Sequence, residues 1–132
     1  MDTKIGLQMW SVRNSFDQNF AATLEKIAEI GYQYLQVNSF QLTPQGMLFT
    51  KDLNAAGLKK ELDRLGLQAV SAHFVPEPNM SIEAIAGDLE LLGVDTLAVA
   101  IKFWSSREEV IEWNKQLNHY GEAFKKLGIQ LY

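Results

Sequence analysis

Four glycines constrain the fold of this chain more than any other feature, because each one follows a helical pattern and precedes a short apolar run. They are Gly31, Gly66, Gly93 and Gly128, at spacings of 35, 27 and 35 residues. Glycine suits the left-handed backbone conformation just past a helix because it has no Cβ. An apolar run after it is typical of a strand covered on both faces. The spacing is the length of a strand–helix unit, so the sequence predicts that this unit repeats.

The predicted elements alternate in the order βαβαβαβαβ. Apolar runs predict strands over residues 5–10, 34–37, 67–74 and 96–103, and a fifth strand that begins at Ile129. Apolar positions at helical spacing predict four helices: the first over 20–30, the second after the N-cap Asn54, the third after the N-cap Ser81, and the fourth up to Leu127. Ser105 or Ser106 with Glu108 or Glu109 would form a capping box for the fourth helix, whose predicted inward residues are Val110, Trp113, Leu117, Tyr120, Phe124 and Leu127.

Two of the predicted connections bear on function. Residues 11–15 are predicted as a polar loop, and residues 38–51 form a long connection broken by Pro44 and Gly46. Connections of this length are often functional, although a flexible insertion remains the alternative.

Alternating strands and helices predict a parallel sheet with right-handed crossovers, either open and doubly wound or part of a (β/α) barrel. A nucleotide-binding doubly wound domain has a glycine-rich turn after its first strand. Residues 10–14 contain no glycine, which favours the barrel.

Eight strand–helix units close such a barrel, and this chain has about four and a half. We therefore expect residues 1–132 to be one domain, the N-terminal half of a (β/α)8 barrel, ending in the fifth strand. An unclosed parallel sheet exposes two edges and one face, and such surfaces tend to associate. A homo-oligomer through the exposed sheet edges is expected, for example two half-barrels that face each other, or else association with the missing C-terminal half of the barrel.

Composition narrows the class of partner. The net charge is −4 and no basic block is present, so nucleic acid is not an expected partner. No apolar run approaches the roughly 18 residues of a membrane span, so no membrane partner is expected. The absence of cysteine excludes disulfides and thiolate metal sites. No charged-then-apolar leader is visible, and a cytoplasmic location is expected.

Polar and aromatic residues lie at the C-terminal ends of the predicted strands. In barrel enzymes the catalytic and binding residues lie at these ends. His73 is the foremost candidate, because imidazole can serve as acid, base, hydrogen-bond donor or metal ligand near neutral pH. Trp10 offers a platform for a sugar or another ring, and Asn38 could hydrogen-bond hydroxyl groups, as could Gln36. Each residue also has an ordinary structural explanation: a histidine satisfied by backbone or water, a tryptophan packed at the rim.

Charged candidates at the strand ends are few. Lys102 and Arg13 could meet a phosphate or carboxylate, or could be solvated loop charges. Glu77, in the loop after the third strand, is a weak candidate ligand, and His119 is predicted to lie on the surface. A metal site needs three or four converging ligands, and no serine lies in a nucleophile elbow. We find no complete catalytic constellation.

Several segments resemble the xylose isomerase-like superfamily, the sugar phosphate isomerase/epimerase group. They are the opening strand (5–13), the first helix with its glycine turn (24–32), the second helix leading to Ala72-His73 (58–73), and the approach to strand five (125–129). The resemblance implies a (β/α)8 barrel that isomerises or epimerises sugars or polyols, or acts as a dehydratase. It also implies a divalent Mn, Mg, Co or Zn ion.

The same resemblance implies which site residues this chain would carry. The family's metal ligands are a Glu, an Asp, a His and a Glu on strands five to eight, so this chain is expected to bind no metal and to be inactive alone. Trp10 and His73 would belong to the substrate pocket. Gln36 stands where the family often has a glutamate, and an amide cannot act as a base.

Three functions remain open at this point. The first is part of a metal-dependent sugar isomerase or epimerase. The second, a barrel nuclease of the endonuclease IV type, needs zinc-binding histidines at the ends of strands three and four; here the fourth ends Ala100-Ile101-Lys102, and the chain is acidic. The third is a non-catalytic half-barrel that binds sugars or works by association.

Overall fold

The computed structural model describes residues 5–100 and 102–132. Residues 1–4, part of the predicted domain, and Ile101, part of the predicted fourth strand, lie outside the described residues. The strands are β1 (Gly6–Gln8), β2 (Tyr34–Asn38), β3 (Gln41–Thr43), β4 (Gly46–Leu48), β5 (Gln68–Phe74), β6 (Thr96–Val99) and β7 (Gln130–Leu131). The helices are α1 (Arg13–Gln18), α2 (Phe20–Ile30), α3 (Ala55–Leu65), α4 (Ile82–Leu92) and α5 (Arg107–Lys126), with a 3₁₀ helix over Met9–Val12.

Five strands form one parallel sheet in the order β1-β2-β5-β6-β7. Each strand therefore lies beside the next strand of the repeat, as predicted for consecutive barrel units. Right-handed crossovers between sequential neighbours place the connecting helices on the same face of the sheet. The predicted fold, about four and a half (β/α) units of a barrel, is confirmed.

The glycine turns that predicted this repeat have the expected backbone. Gly31, Gly66 and Gly93 end α2, α3 and α4 in the left-handed conformation, with φ of 104°, 67° and 72°. Gly128 follows α5 with φ of 79°. Only glycine adopts these angles without strain, so each helix ends where its glycine stands.

The predicted N-caps are also confirmed. The side chains of Asn54, Ser81 and Ser106 each accept a hydrogen bond from a backbone N–H in the first turn of α3, α4 and α5, respectively. The Glu109 carboxylate accepts from the backbone N–H of Ser105, the residue before the N-cap, instead of from Ser106 as in a standard capping box.

The core lies between the helices and one face of the sheet. Leu35, Val37 and Ala72 are fully buried against the helices, whereas the side chains that alternate with them are partly exposed. The expectation that the strands are covered on both faces is therefore wrong for the residues described. Crossovers between parallel strands are right-handed as a rule, which places their helices on one face and agrees with the partial exposure of the other.

A bulge between β2 and β5 decides which side chains reach the open face. Leu35 pairs with Ala69, but the next residue, Gln36, pairs with Ser71, so Val70 has no partner in the register. An extra residue in one strand reverses the alternation of every side chain after it. Beyond the bulge, His73 therefore lies on the open face, opposite Asn38.

The largest errors in the predicted boundaries lie at the ends of the first and fourth strands. The first strand stops at Gln8, and residues 9–18 are helical where the end of a strand and a polar loop were predicted. The fourth strand ends at Val99 instead of residue 103. Leu127, predicted to face inward, is 47% exposed because α5 ends one residue earlier.

The long connection after β2 is an ordered hairpin, neither a bare loop nor a flexible insertion. β3 and β4 pair in antiparallel fashion, and Leu42, Met47 and Phe49 are buried. The Asp88 carboxylate on α4 accepts a hydrogen bond from the backbone N–H of Met47 at 2.6 Å. Burial raises the pKa of Asp88, and this hydrogen bond opposes that shift.

The Asp88 hydrogen bond gives a test of how the hairpin is held. Asp88→Ala leaves a buried N–H without an acceptor, so we expect its free energy of unfolding to fall by about 1–3 kcal/mol in urea at pH 7. Asp88→Asn keeps an acceptor and removes a carboxylate that is harder to ionise when folded, so we expect no loss. Glu90→Ala, on an exposed position of α4, is the control. Equal losses in both Asp88 variants would contradict this account.

Candidate functional site

Five polar side chains meet on the open face of the sheet near the carboxyl ends of β1, β2 and β5. Their strands bring them together: Gln8 pairs with Gln36 in the register, and Asn38 pairs with His73. Gln8 Nε2 donates to Gln36 Oε1 at 2.8 Å, and Gln36 Nε2 donates to Ser71 Oγ at 3.0 Å. The result is a hydrogen-bonded row that crosses three strands.

Two amide groups, those of Asn38 and Gln8, lie within hydrogen-bond distance of the same nitrogen of His73. Its Nδ1 lies 3.3 Å from Asn38 Nδ2 and 3.5 Å from Gln8 Nε2. Partial burial lowers the pKa of His73 below its ordinary value of 6.5, because desolvation disfavours the charged ring. This shift favours the neutral imidazole at pH 7.

Trp10 joins the site through its backbone. Its N–H donates to Asn38 Oδ1 at 3.2 Å, so the 3₁₀ helix after β1 is tied to the end of β2. The indole is 58% exposed, and the Arg13 guanidinium lies 4.7 Å from its ring centroid. Arg13 also donates to the carbonyl oxygen of Trp10 at 3.1 Å. An exposed ring held at a strand end is suited to stacking on a sugar.

The space beside the indole is small. A groove of about 80 Å³ runs between Trp10, Phe16, Phe40 and Phe49. Pockets that enclose small molecules are usually about 300–1,000 Å³. Trp10 and Asn38 line this groove but His73 does not, so the three residues form an open wall along the strand ends instead of sharing one enclosed pocket.

Lys102 does not join the other three candidates. Its Nζ lies 3.9 Å from the ring centroid of Trp113 on α5. In the part of the chain that is described, no hydrogen bond or ion pair links it to Trp10, Asn38 or His73. Glu77 has a structural contact, because its Oε1 accepts from the backbone N–H of Leu42 in the hairpin at 3.4 Å.

The described residues do not fit a metal ion. Across residues 5–100 and 102–132, no group of three or more His, Asp or Glu side chains lies close enough together to hold one. The described residues therefore offer no set of ligands for a metal-dependent step.

Sequence reasoning missed two members of the site, Gln8 and Ser71. A signal was present, because polar residues recur at every second position in the pairs Gln36/Asn38 and Ser71/His73. That alternation is typical of a strand with one polar face. The apolar neighbours dominated the interpretation and suggested strands buried on both faces.

No family model matches this chain, and no curated protein matches it. Solved structures do. A sugar phosphate isomerase/epimerase from Parabacteroides distasonis is similar over 99% of this chain and 50% of its own, at 21% identity and a TM-score of 0.76. A probable 3-DHS dehydratase from Bacillus anthracis matches 98% of this chain and 51% of its own, at 13% identity and a TM-score of 0.63. A xylose isomerase domain protein from Salmonella typhimurium matches 99% and 48%, at 15% identity and 0.58.

The fold is that of half a (β/α)8 barrel. The resemblance of fold that the sequence predicted is thus confirmed, and the chain spans about half the length of the solved structures it matches. At these identities the likeness concerns the fold alone. In the described parts of the chain, no helix has both the length and the apolarity that crossing a bilayer requires.

The lowered pKa of His73 predicts a pH effect on stability. Below pH 6.5 the unfolded chain binds a proton that the folded chain resists, so stability is lost as the pH falls from 6.5 through the folded pKa. His73→Gln keeps an acceptor for Asn38 but does not titrate in this range. We expect urea unfolding at pH 7 and pH 5 to show a larger loss for the wild type than for His73→Gln. Equal losses would contradict the prediction.

Proposed function

We propose that this chain forms the substrate-binding wall of a sugar or sugar-phosphate isomerase or epimerase that is metal-dependent at full length. The ligand would be a sugar or polyol bound at Trp10, Asn38 and His73. Lys102 is proposed as a contact for an anionic group of the substrate. The chain alone is proposed to be inactive, because the described strand ends carry no carboxylate.

The observation that carries the proposal is the hydrogen-bonded cluster of amides and imidazole at the carboxyl ends of three neighbouring parallel strands, to which the backbone N–H of Trp10 is bonded. Barrel enzymes hold their substrates at this end of the sheet. Amide and imidazole groups donate to and accept from hydroxyl and carbonyl oxygens, and the exposed indole offers a face to the C–H groups of a sugar. Two of the structurally similar proteins are a sugar phosphate isomerase/epimerase and a xylose isomerase domain protein, which agrees with this chemistry.

Isomerisation next to a carbonyl needs a base that moves a proton and a group that stabilises the developing charge on oxygen. In the wall, Asn38 and His73 can position substrate oxygens, but no carboxylate is available there as a base. We therefore propose that the base and the divalent metal, Mn, Mg, Co or Zn, belong to other parts of the full-length protein. Those parts would complete the site across the open face.

Sugar binding is the direct test. We expect a panel of aldoses and ketoses to perturb the amide and imidazole NMR signals of Asn38 and His73 and the indole signal of Trp10. His73→Ala should weaken binding about tenfold, since one hydrogen bond contributes about 1.4 kcal/mol. His119→Ala, on the exposed side of α5, is the matched control. Shifts confined to other surfaces, or equal affinities for both variants, would overturn the proposal.

A second candidate is a module that works by association with another copy. The sheet ends at β1 and β7, and beside β7 a cavity of about 430 Å³ is lined by residues that include Val99, Leu117, Leu131 and Tyr132. Unpaired strand edges with apolar surroundings associate readily. This candidate predicts that light scattering measures the mass of a homo-oligomer. A stable monomer at high protein concentration would exclude it.

A further inference from the structure

The orientation of the Asn38 amide is set by a main-chain group. The backbone N–H of Trp10 can only donate, so the Asn38 atom 3.2 Å from it is the oxygen. A reversed amide would set two donors against each other and lose this hydrogen bond. The nitrogen of the Asn38 amide is therefore the atom that faces His73 Nδ1 at 3.3 Å.

This orientation determines where the His73 proton lies. An amide nitrogen has no acceptor lone pair, so Nδ1 must be the acceptor. A neutral imidazole has one acceptor and one donor nitrogen, which leaves the proton on Nε2.

The second amide on Nδ1, that of Gln8, cannot decide the tautomer. Its partner Gln36 ends on the hydroxyl of Ser71, and a hydroxyl both donates and accepts. Both glutamine amides could be reversed together if Nδ1 carried the proton, since Ser71 would then donate to Gln36, Gln36 to Gln8, and Nδ1 to Gln8 without the loss of a hydrogen bond. Only Asn38 is anchored by a group that cannot change its role.

The Nε2 side of the ring is open. Within residues 5–100 and 102–132, Nε2 has no hydrogen-bond partner, and no side-chain nitrogen or oxygen is both buried and unpartnered. Nε2 is therefore accessible to solvent or a ligand. The residues beside His73 on β2 and β6, Asn38 and Ala98, carry no charge, and burial is what lowers the pKa of the ring.

We infer that Asn38 is a positioning residue that keeps the proton of the neutral His73 ring on Nε2, so that His73 donates a hydrogen bond to a ligand oxygen. In this state Nε2 already carries the proton and cannot accept another. His73 can therefore act at Nε2 only as a hydrogen-bond donor. A carbonyl or hydroxyl oxygen is the matching acceptor. The inference rests on the proposed function for the nature of the ligand, but not for the tautomer.

The tautomer can be read without any ligand. In the ¹⁵N-labelled chain at pH 7, two-bond ¹H–¹⁵N correlations of the imidazoles should show Nδ1 of His73 unprotonated and Nε2 protonated. His119, the second of the two histidines, is exposed on α5 and provides an internal reference. A proton on Nδ1 of His73 in the wild type would overturn the inference.

Asn38→Asp replaces the hydrogen-bond donor that faces His73 Nδ1 with an acceptor. One carboxylate oxygen still accepts from Trp10 N–H, and the other now faces Nδ1 as an acceptor. We expect Nδ1 to become protonated and the pKa of His73 to rise by about one unit or more, as for a histidine beside a carboxylate. If the Asn38 side chain did not face Nδ1, Asn38→Asp would leave the proton of His73 on the same nitrogen as in the wild type, and that outcome contradicts the inference.

Ser71→Ala is the matched control, because it shortens the same polar row without touching Nδ1. We expect the wild-type tautomer and pKa in this variant. Sugar titration then separates the two proposals. A proton on Nδ1 with sugar binding retained would overturn the inference alone, whereas the expected tautomer without sugar binding would overturn the proposed function alone.

Discussion

The register between β2 and β5 is the constraint on which the candidate site depends. A single unpaired residue, Val70, shifts the pairing so that Gln36 meets Ser71 and Asn38 meets His73. With regular alternation from Ala69, which is buried, His73 would point toward the helices. The bulge instead places Ala72 and Phe74 in the core and His73 on the open face. One irregularity in the central strand pair thus creates the polar wall.

The helices and the wall have a common physical origin. Right-handed crossovers between sequential parallel strands place the connecting helices on one face. Among residues 5–100 and 102–132, the alternating side chains on the other face are therefore partly exposed. Polar side chains on that face satisfy one another: amide to amide, amide to hydroxyl, amide to imidazole. Side chains paired in this way lose rotamer freedom before a ligand arrives, which lowers the entropic cost of binding.

Local signals predicted the boundaries of α2 to α5 to within about a residue, because caps and glycine turns are set by residues close in sequence. Asn54, Ser81 and Gly66 act through hydrogen bonds or backbone angles within their own turn. Where the outcome depended on distant partners, the same reasoning failed. The hairpin of β3 and β4 is held by Asp88, which lies 41 residues from Met47 in the chain. No local pattern in residues 38–51 predicts the contact between Met47 and Asp88.

The candidate site shows the same difference between features set by nearby residues and features set by distant ones. Trp10, Asn38 and His73 could be named from the sequence because they follow predicted strands, whereas Lys102, chosen for the same reason, lies against Trp113. Strand ends are local features, but the distance between two side chains depends on register and on the path of each connection. Gln8 entered the site only through its pairing with Gln36.

By itself, the sequence determined the repeating strand–helix unit, the helix ends and the half-barrel, because glycine conformation, capping and hydrophobic periodicity are short-range effects. The tertiary structure alone decided which face of the sheet is open, which polar residues share it, and which nitrogen of His73 faces Asn38. Those features depend on a bulge and on hydrogen bonds between residues 28 to 65 positions apart. They exist only once the strands have paired.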